Sequence, residues 1–315
     1  MLRFLVKKLL DKLPMILTLL IMVNLIFFTA LFFYEYSNKK DQIRTNLELN
    51  LQNTESKLDE IFNHSDEVLQ KIIEKIKSDH DNRLHINKII KSLKGQDNIF
   101  NQLPWTEFSW VDNKNNITVD SRYGLMNNKI NLSKRDYVVK AQKNPGKFCI
   151  GNLVIGSTSK IKIIPAGISA TINKRYIGSI VMGINLDVLK DVIKESISDS
   201  NITISVINLE GELQFSTSDR NNFHLDSIAK SLTEEAGNTN SYAKIDLLGK
   251  RTVAVAVKKS AQYPFIFVAQ YNDSSIKKNL TNSYILRVKM LLLIALAVIL
   301  YLLSSRFVIT KFSDK

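Results

Sequence analysis

The sequence predicts an α+β protein: two tandem modules with antiparallel sheets on a long N-terminal helix, flanked by two transmembrane helices. Three observations predict it. An uncharged apolar run, Pro14 to Tyr34, opens the chain, and a second, Met290 to Leu303, nearly closes it. Ile43, Leu47, Leu51, Leu58, Ile61, Val68, Ile72 and Ile76 recur at spacings of three, four and seven, one face of a helix without internal proline or glycine. Short alternating apolar segments then occur twice in one order: two strands, a helix, three strands.

At about 1.5 Å per residue, Pro14 to Tyr34 crosses a hydrocarbon core of ~30 Å. No small-x-small cleavage site follows it in Tyr34-Glu35-Tyr36-Ser37, so it reads as an uncleaved anchor. The second run reaches spanning length only by including Ser304-Ser305 or the preceding Ser283 to Lys289. Residues 1–13 carry a net charge of +3 and residues 304–315 a net of +2. The positive-inside rule puts both termini in the cytoplasm and the middle of the chain outside the membrane, with the lipid bilayer as a partner. The expected division is a cytoplasmic N-terminus (1–13), a first span (14–34), a signalling helix with its extension (35–94), a membrane-distal module (95–190), a membrane-proximal module (191–273), a connecting helix (274–287), a second span (288–305) and a short tail (306–315).

Forty-three Lys and Arg against 30 Asp and Glu give a formal charge of +13 in 315 residues. The cations are scattered, with no basic cluster interleaved with aromatics, which excludes nucleic acid as a partner. Cys149 is the only cysteine, so there is no internal disulfide and no multi-cysteine metal site; it reads as a small hydrophobe buried in a strand. His64, His80, His85 and His224 stand at no ligand spacing, and no metal or other cofactor is expected. G-x-S-x-G, P-loop and HExxH motifs are absent, so an enzyme is not expected. The dozen residues after the second run are too few for a kinase or cyclase domain.

In chain order, Trp105 to Val111 alternates, Asp112 to Asn116 is turn chemistry, and Ile117 to Ser121 returns, a hairpin. Arg122 and Tyr123 lead into a polar loop ending at Leu132. A short helix then carries Arg135 and Tyr137, with Tyr137 and Ala141 one turn apart. Phe148 to Ile155, Ile161 to Ile172 and Tyr176 to Ile184 follow as strands, with Ser157-Thr158-Ser159 as a solvated turn and Asn185 opening a helix. The second module repeats the order: strands at 202–207 and 212–216, a helix at Leu225 to Ala236, and strands at 242–247, 252–257 and 265–270. The order in both is PAS-like.

Ser133-Lys134-Arg135-Asp136-Tyr137-Val138 is similar to the Ser-Asp-Arg-x-Tyr helix of the double Cache (PDC) sensory domains of bacterial histidine kinases, chemoreceptors and diguanylate cyclases. Gly151 through Ile164, the Asn173-Lys174 turn with Gly178, and Val181 to Leu186 extend the resemblance, which covers roughly 41–273. The resemblance implies a small-molecule ligand between helix and concave sheet in the distal module, a homodimer or a membrane signalling partner, and a receptor whose output domain is absent, truncated or split or supplied by that partner. It places Arg135 and Tyr137 at the pocket, with Arg122, Tyr123, Trp110 and Asn185 as further candidates. The amino-acid-binding subgroup has Arg-x-Trp-Tyr-x-x-Ala and a later aspartate. Here Tyr137 and Val138 stand at the aromatic pair and Asn185 at the aspartate, so an organic acid is expected ahead of an amino acid, with Arg135 as its bidentate donor. The alternative is a ligand-free structural or interaction protein of the envelope.

Overall fold

The computed structural model describes residues 2–80, 82–94, 104–218, 241–246 and 253–271, with isolated positions between 288 and 299. Helix α1 (Leu2–Lys77) provides all of the first compact unit, 1–46, and opens the second, 47–315. Its backbone is helical through Pro14 to Tyr34, but the side chains up to residue 18 fall outside the described residues. Among the described residues, no helix is long and apolar enough to cross a membrane. The expected second span, the connecting helix 274–287, the helix from Leu225 to Ala236 and His224 lie outside the described residues apart from those isolated positions.

From Leu47 onward the apolar stripe of α1 is buried: Leu47, Leu51, Leu58, Ile61, Ile72 and Ile76 are at most 2 % exposed. Each such side chain contributes about 1.5–3 kcal/mol relative to leaving it in water. The stripe departs from the expected register at one place, where Leu69 is fully buried and Val68 only half. A 3.6-residue helix drifts against a seven-residue repeat, and the buried seam moves from 68 to 69 as it does. After Lys77 the chain turns, and Asn82 Oδ1 accepts from the N–H groups of Leu84 and His85 at 3.1 Å, capping helix α2 (Arg83–Lys94).

The first sheet is built from β1 (Trp105–Asp112), β2 (Asn116–Asp120), β3 (Gly124–Asn131), β4 (Cys149–Ile150), β5 (Val154–Ile155), β6 (Lys162–Ile172) and β7 (Arg175–Asn185), ordered β3-β2-β1-β7-β6-β4 with β5 also on β6. Helix α3 (Asp136–Lys143) follows β3, and α4 (Leu186–Ser196) follows β7. Two expectations change here. The polar stretch after Tyr123 is the edge strand β3, whose outer side needs no apolar face; Arg83 Nη2 ties it to α2 by donating to Thr118 O at 3.0 Å and Met126 O at 3.1 Å. Phe148 to Ile155 holds two short strands separated by residues 151–153, and at Gly151 a Cβ would press on Asp136 Oδ1, Tyr137 and Pro165. Cys149 is half-buried, and burial pushes its thiol pKa up.

The second sheet has β8 (Ile202–Asn208), β9 (Leu213–Ser216), β10 (Ser241–Asp246), β11 (Val253–Lys259) and β12 (Phe265–Tyr271), ordered β10-β11-β12-β8-β9. Every pairing in both sheets is antiparallel. The second sheet meets α1 through Phe62, whose ring lies 4.9 Å from Tyr263 and 5.8 Å from Phe265, and through a 2.6 Å ion pair of Glu55 with Lys258. It meets the first module through residues 152 and 153: Leu153 N donates to Gln214 Oε1 at 2.6 Å, and Asn208 Nδ2 to Asn152 Oδ1 at 3.1 Å.

Candidate functional site

Alternation along β1 sends Glu107, Ser109 and Val111 to one face of the first sheet and Phe108 and Trp110 to the other. Helix α3 covers the first of these faces. Its Tyr137, Val138 and Ala141 are buried, and Ser169 Oγ donates to Ala141 O at 2.8 Å to hold the helix on β6. Between the start of α3, the sheet and the 154–158 segment lies a cleft of about 340 Å³ including its open mouth. The room left for the centre of a water molecule is about 20 Å³, so the side chains stand close together. Glu107, Ser109, Arg135, Tyr137, Ser157 and Thr158 provide its polar lining, against Ile117, Leu132, Ile163 and Val181.

Arg135 is the N-cap residue of α3 and is half-buried. Its Nη2 donates to Ser157 Oγ at 3.4 Å and Ile155 O at 3.5 Å, long contacts that leave the guanidinium fork loosely held. Tyr137 is 5 % exposed and shares its packing with Val111, Ile117, Leu132, Val138 and Val181. Burial pushes its hydroxyl pKa up to about 12, with Arg135 opposing and Glu107 and Asp136 reinforcing the rise.

Glu107 was not among the expected site residues. It is 7 % exposed, and Thr158 Oγ1 donates to its Oε2 at 2.6 Å. Burial pushes its carboxyl above the usual carboxylate range; the Thr158 hydroxyl eases the rise, Asp120 adds to it, and Ser159 and Arg122 ease it further. The Ser157-Thr158-Ser159 turn is therefore not the solvated turn expected, since Thr158 and Ser159 are both buried over Glu107. Gly156 permits that closeness: a Cβ there would collide with Ser159 Oγ and lie 3.1 Å from Glu107 Oε1. Behind it, Ser109 Oγ donates to Asp120 Oδ2 at 2.7 Å, and Asp120 Oδ1 accepts from Arg122 N at 2.8 Å and Tyr123 N at 3.3 Å.

Of the six expected ligand residues, Arg135 and Tyr137 line the cleft; the other four lie elsewhere. Trp110 is buried on the opposite face of β1, its indole over Gly178, where a Cβ would collide with it. Arg122 and Tyr123 are exposed, Tyr123 by 63 %. Asn185 caps α4, its Oδ1 accepting from Asp187 N at 2.9 Å and Val188 N at 3.5 Å. Among the described residues no group of three His, Cys, Asp or Glu side chains is placed to hold a metal ion.

With a small cleft between an Arg-Tyr helix and an antiparallel sheet, and a second sheet module after it, the chain shares its fold with solved extracellular domains. The extracellular domain of the putative histidine kinase rpHK1S-Z16 superposes with a TM-score of 0.57 at 16 % identity, over 75 % of this chain and 97 % of that one. The sensory domain of the Campylobacter jejuni chemoreceptor Tlp3 (CcmL), with isoleucine bound, gives 0.59 at 13 % identity over 78 % and 98 %. The ligand-binding domain of Mlp24 with asparagine gives 0.54 at 12 % identity over 75 % and 96 %. No family model and no curated protein matches the sequence.

Proposed function

We propose that the chain is a membrane-anchored, extracytoplasmic sensor that binds a small carboxylate-bearing molecule in the distal cleft and passes the change toward its membrane helices. The observation that carries this reading is Arg135. It lines the cleft with its donors only loosely engaged, which suits a planar two-oxygen acceptor. An envelope scaffold without a ligand would call for an arginine buried without a cavity beside it. The neighbouring folds are sensory domains rather than catalysts, and a sensing role suits them.

The preference for a plain organic acid over an amino acid rests on Tyr137, Val138 and Asn185, and of these Asn185 caps α4 instead of lining the cleft. Structural neighbours are recorded with isoleucine and asparagine, so amino acids belong among the carboxylates to be tried. Pro14 to Tyr34 within α1 and residues 288–305 are the anchors in this reading, from their length and flanking charge. A homodimer or a membrane signalling partner would receive the output.

The test is thermal unfolding of the full chain in detergent against organic acids, amino acids and amines. A ligand at 100 times its Kd stabilises the native state by about 2.7 kcal/mol. The expected result is stabilisation by a carboxylate-bearing compound that disappears in Arg135→Ala. A folded protein that responds to no carboxylate would overturn the proposal.

A further inference from the structure

We infer that the Gly156–Lys160 turn is a lid shut over the cleft, latched by Thr158 on Glu107, and that it lifts to admit the ligand. The inference rests on the reading of the cleft as the ligand site and adds the way in. The room inside is about 20 Å³, the space of roughly one water molecule. A carboxylate-bearing molecule is larger, so one wall has to move. Two walls are fixed. Helix α3 buries Tyr137, Val138 and Ala141 and is held on β6 by Ser169, while β6 pairs with β7 from Ile163 to Ile172. The third wall is the turn, and much of what shapes it lies within it. Lys160 N donates to Gly156 O at 3.2 Å, and Lys160 Nζ to Ser157 O at 2.7 Å. Among the described residues, the hydrogen bonds that fasten it across the cleft are a short one, Thr158 Oγ1 to Glu107 Oε2 at 2.6 Å, and the long Arg135–Ser157 contact of 3.4 Å. Breaking those two lets the turn lift with its own shape intact.

Closure carries two costs that lifting relieves. Glu107 is 7 % exposed with a neutral hydroxyl as its hydrogen-bond donor, a poor setting for a carboxylate. Ser159 Oγ is enclosed and completes no hydrogen bond of good geometry. Water reaches both when the turn lifts. The proton on Glu107 then sets the balance. Facing it are Thr158 and Ser159 from the turn, Asp120 and Arg122 from β2 and its exit, and Tyr137 and Arg135 from α3 and its cap. Burial under the shut lid pushes the carboxyl above the usual range, so the shut state holds the proton more tightly than the lifted one. Lifting is therefore favoured as pH rises from the ordinary carboxylate value through the raised one, and the effect levels off beyond it. Acid keeps the lid shut.

The experiment times the lid with a thiol. Cys149, the only native cysteine, is replaced by Ala, and Ser159→Cys puts a near-isosteric probe on the buried side of the turn. In the full chain in detergent, its labelling rate with dithiodipyridine is divided by that of an exposed Lys143→Cys control and compared with that of Ser169→Cys, 2 % exposed in the fixed sheet. Ser159→Cys should label roughly tenfold or more faster than Ser169→Cys, which waits for the module to unfold. Adding Thr158→Val, which keeps the shape and removes the latch, should speed it roughly tenfold again, the fold-change of one hydrogen bond to a carboxylate. The normalised rate should climb with pH across the titration of Glu107 and stay flat in Glu107→Gln; tryptophan fluorescence from β1 checks that each variant folds. Labelling of Ser159→Cys no faster than of Ser169→Cys would overturn the inference, whether or not the other variants fold, and leave the turn a fixed wall. A folded Thr158→Val variant that labels at the unchanged rate would overturn it too, and so would a normalised rate that ignores pH. Rapid labelling in a chain that no carboxylate stabilises would bear out the lid and overturn the sensor reading instead.

Discussion

Ser65 of α1 holds the first strand of the site module by one buried hydrogen bond, and replacing it tests how firmly the long helix is joined to that strand. Its Oγ accepts from Trp105 Nε1 at 2.9 Å and donates to Ile61 O at 2.7 Å; Ser65 is fully buried and Trp105 is 6 % exposed. Ser65→Ala takes that acceptor from a buried indole N–H, about 1–3 kcal/mol. Alanine returns about 0.5 kcal/mol as the better helix former. The net loss should be about 1–2 kcal/mol, or roughly 2–8 °C in Tm for a domain of this size. The sequence holds two tryptophans, both on β1, so urea unfolding followed by their fluorescence reads this module directly. In a Trp105→Phe background there is no indole N–H to orphan, and Ser65→Ala should be neutral or slightly stabilising. A coupling energy below about 0.5 kcal/mol between the two substitutions would refute the reasoning.

The Glu55–Lys258 pair joins α1 to the second sheet, with Glu55 Oε1 also accepting from Ala261 N at 3.2 Å. Lys258→Met leaves that carboxylate beside Asp59, whose own carboxyl is already raised by burial and then by Glu55, and should cost about 2 kcal/mol; Lys258 is 30 % exposed, which trims the 3–5 kcal/mol of a fully buried pair. Glu55→Gln keeps the Ala261 bond and removes the repulsion, so chemical denaturation should show it losing less than about 1 kcal/mol. Stability should also depend on pH through Glu107 and Asp59. Both carboxyls are raised, so the folded state binds protons more tightly than the unfolded one, and stability falls as pH climbs from the ordinary carboxylate value through the raised one. Glu107→Gln should flatten its share of that fall in unfolding curves measured across this window.

The parts legible in the sequence were those written in periodicity. The α1 stripe, the β1–β2 hairpin, the long β6–β7 pair and the Tyr137–Ala141 turn of α3 each bury an apolar set that recurs at a fixed step. The edge strand β3 was not legible, because only Met126 and Ile130 of its polar second half pack against the core, too few to set a strand period. Glu107 was hidden for a related reason. On β1 it alternates with Phe108 as any water-facing residue would, and only the 156–159 turn, distant in sequence, covers it. The available signal was Gly156 followed by three hydroxyl residues, which reads as a flexible surface turn until the glycine's contact with Ser159 is known. Asn185 was misleading in the opposite sense: an asparagine at a strand end two residues before an aspartate is also a helix cap, and that local chemistry is what it performs.

The same short segment gives the cleft a physical connection to the second module. Asp136, in the first turn of α3, accepts from Asn152 N at 3.1 Å, while the next residue, Leu153, donates to Gln214 of β9. Arg135 contacts Ile155 O and Ser157 Oγ, two and four residues beyond Leu153. A ligand that draws Arg135 inward therefore competes with contacts on 155–157 and shifts a segment whose other end is fastened to the second sheet. On the opposite wall Glu107 is two residues from Trp105, whose indole is held by Ser65 of α1. The walls of the cleft are thus tied by two separate connections, one to the second sheet and one to the long helix. A ligand in the cleft would shift either connection only through its differential affinity for two arrangements of these contacts.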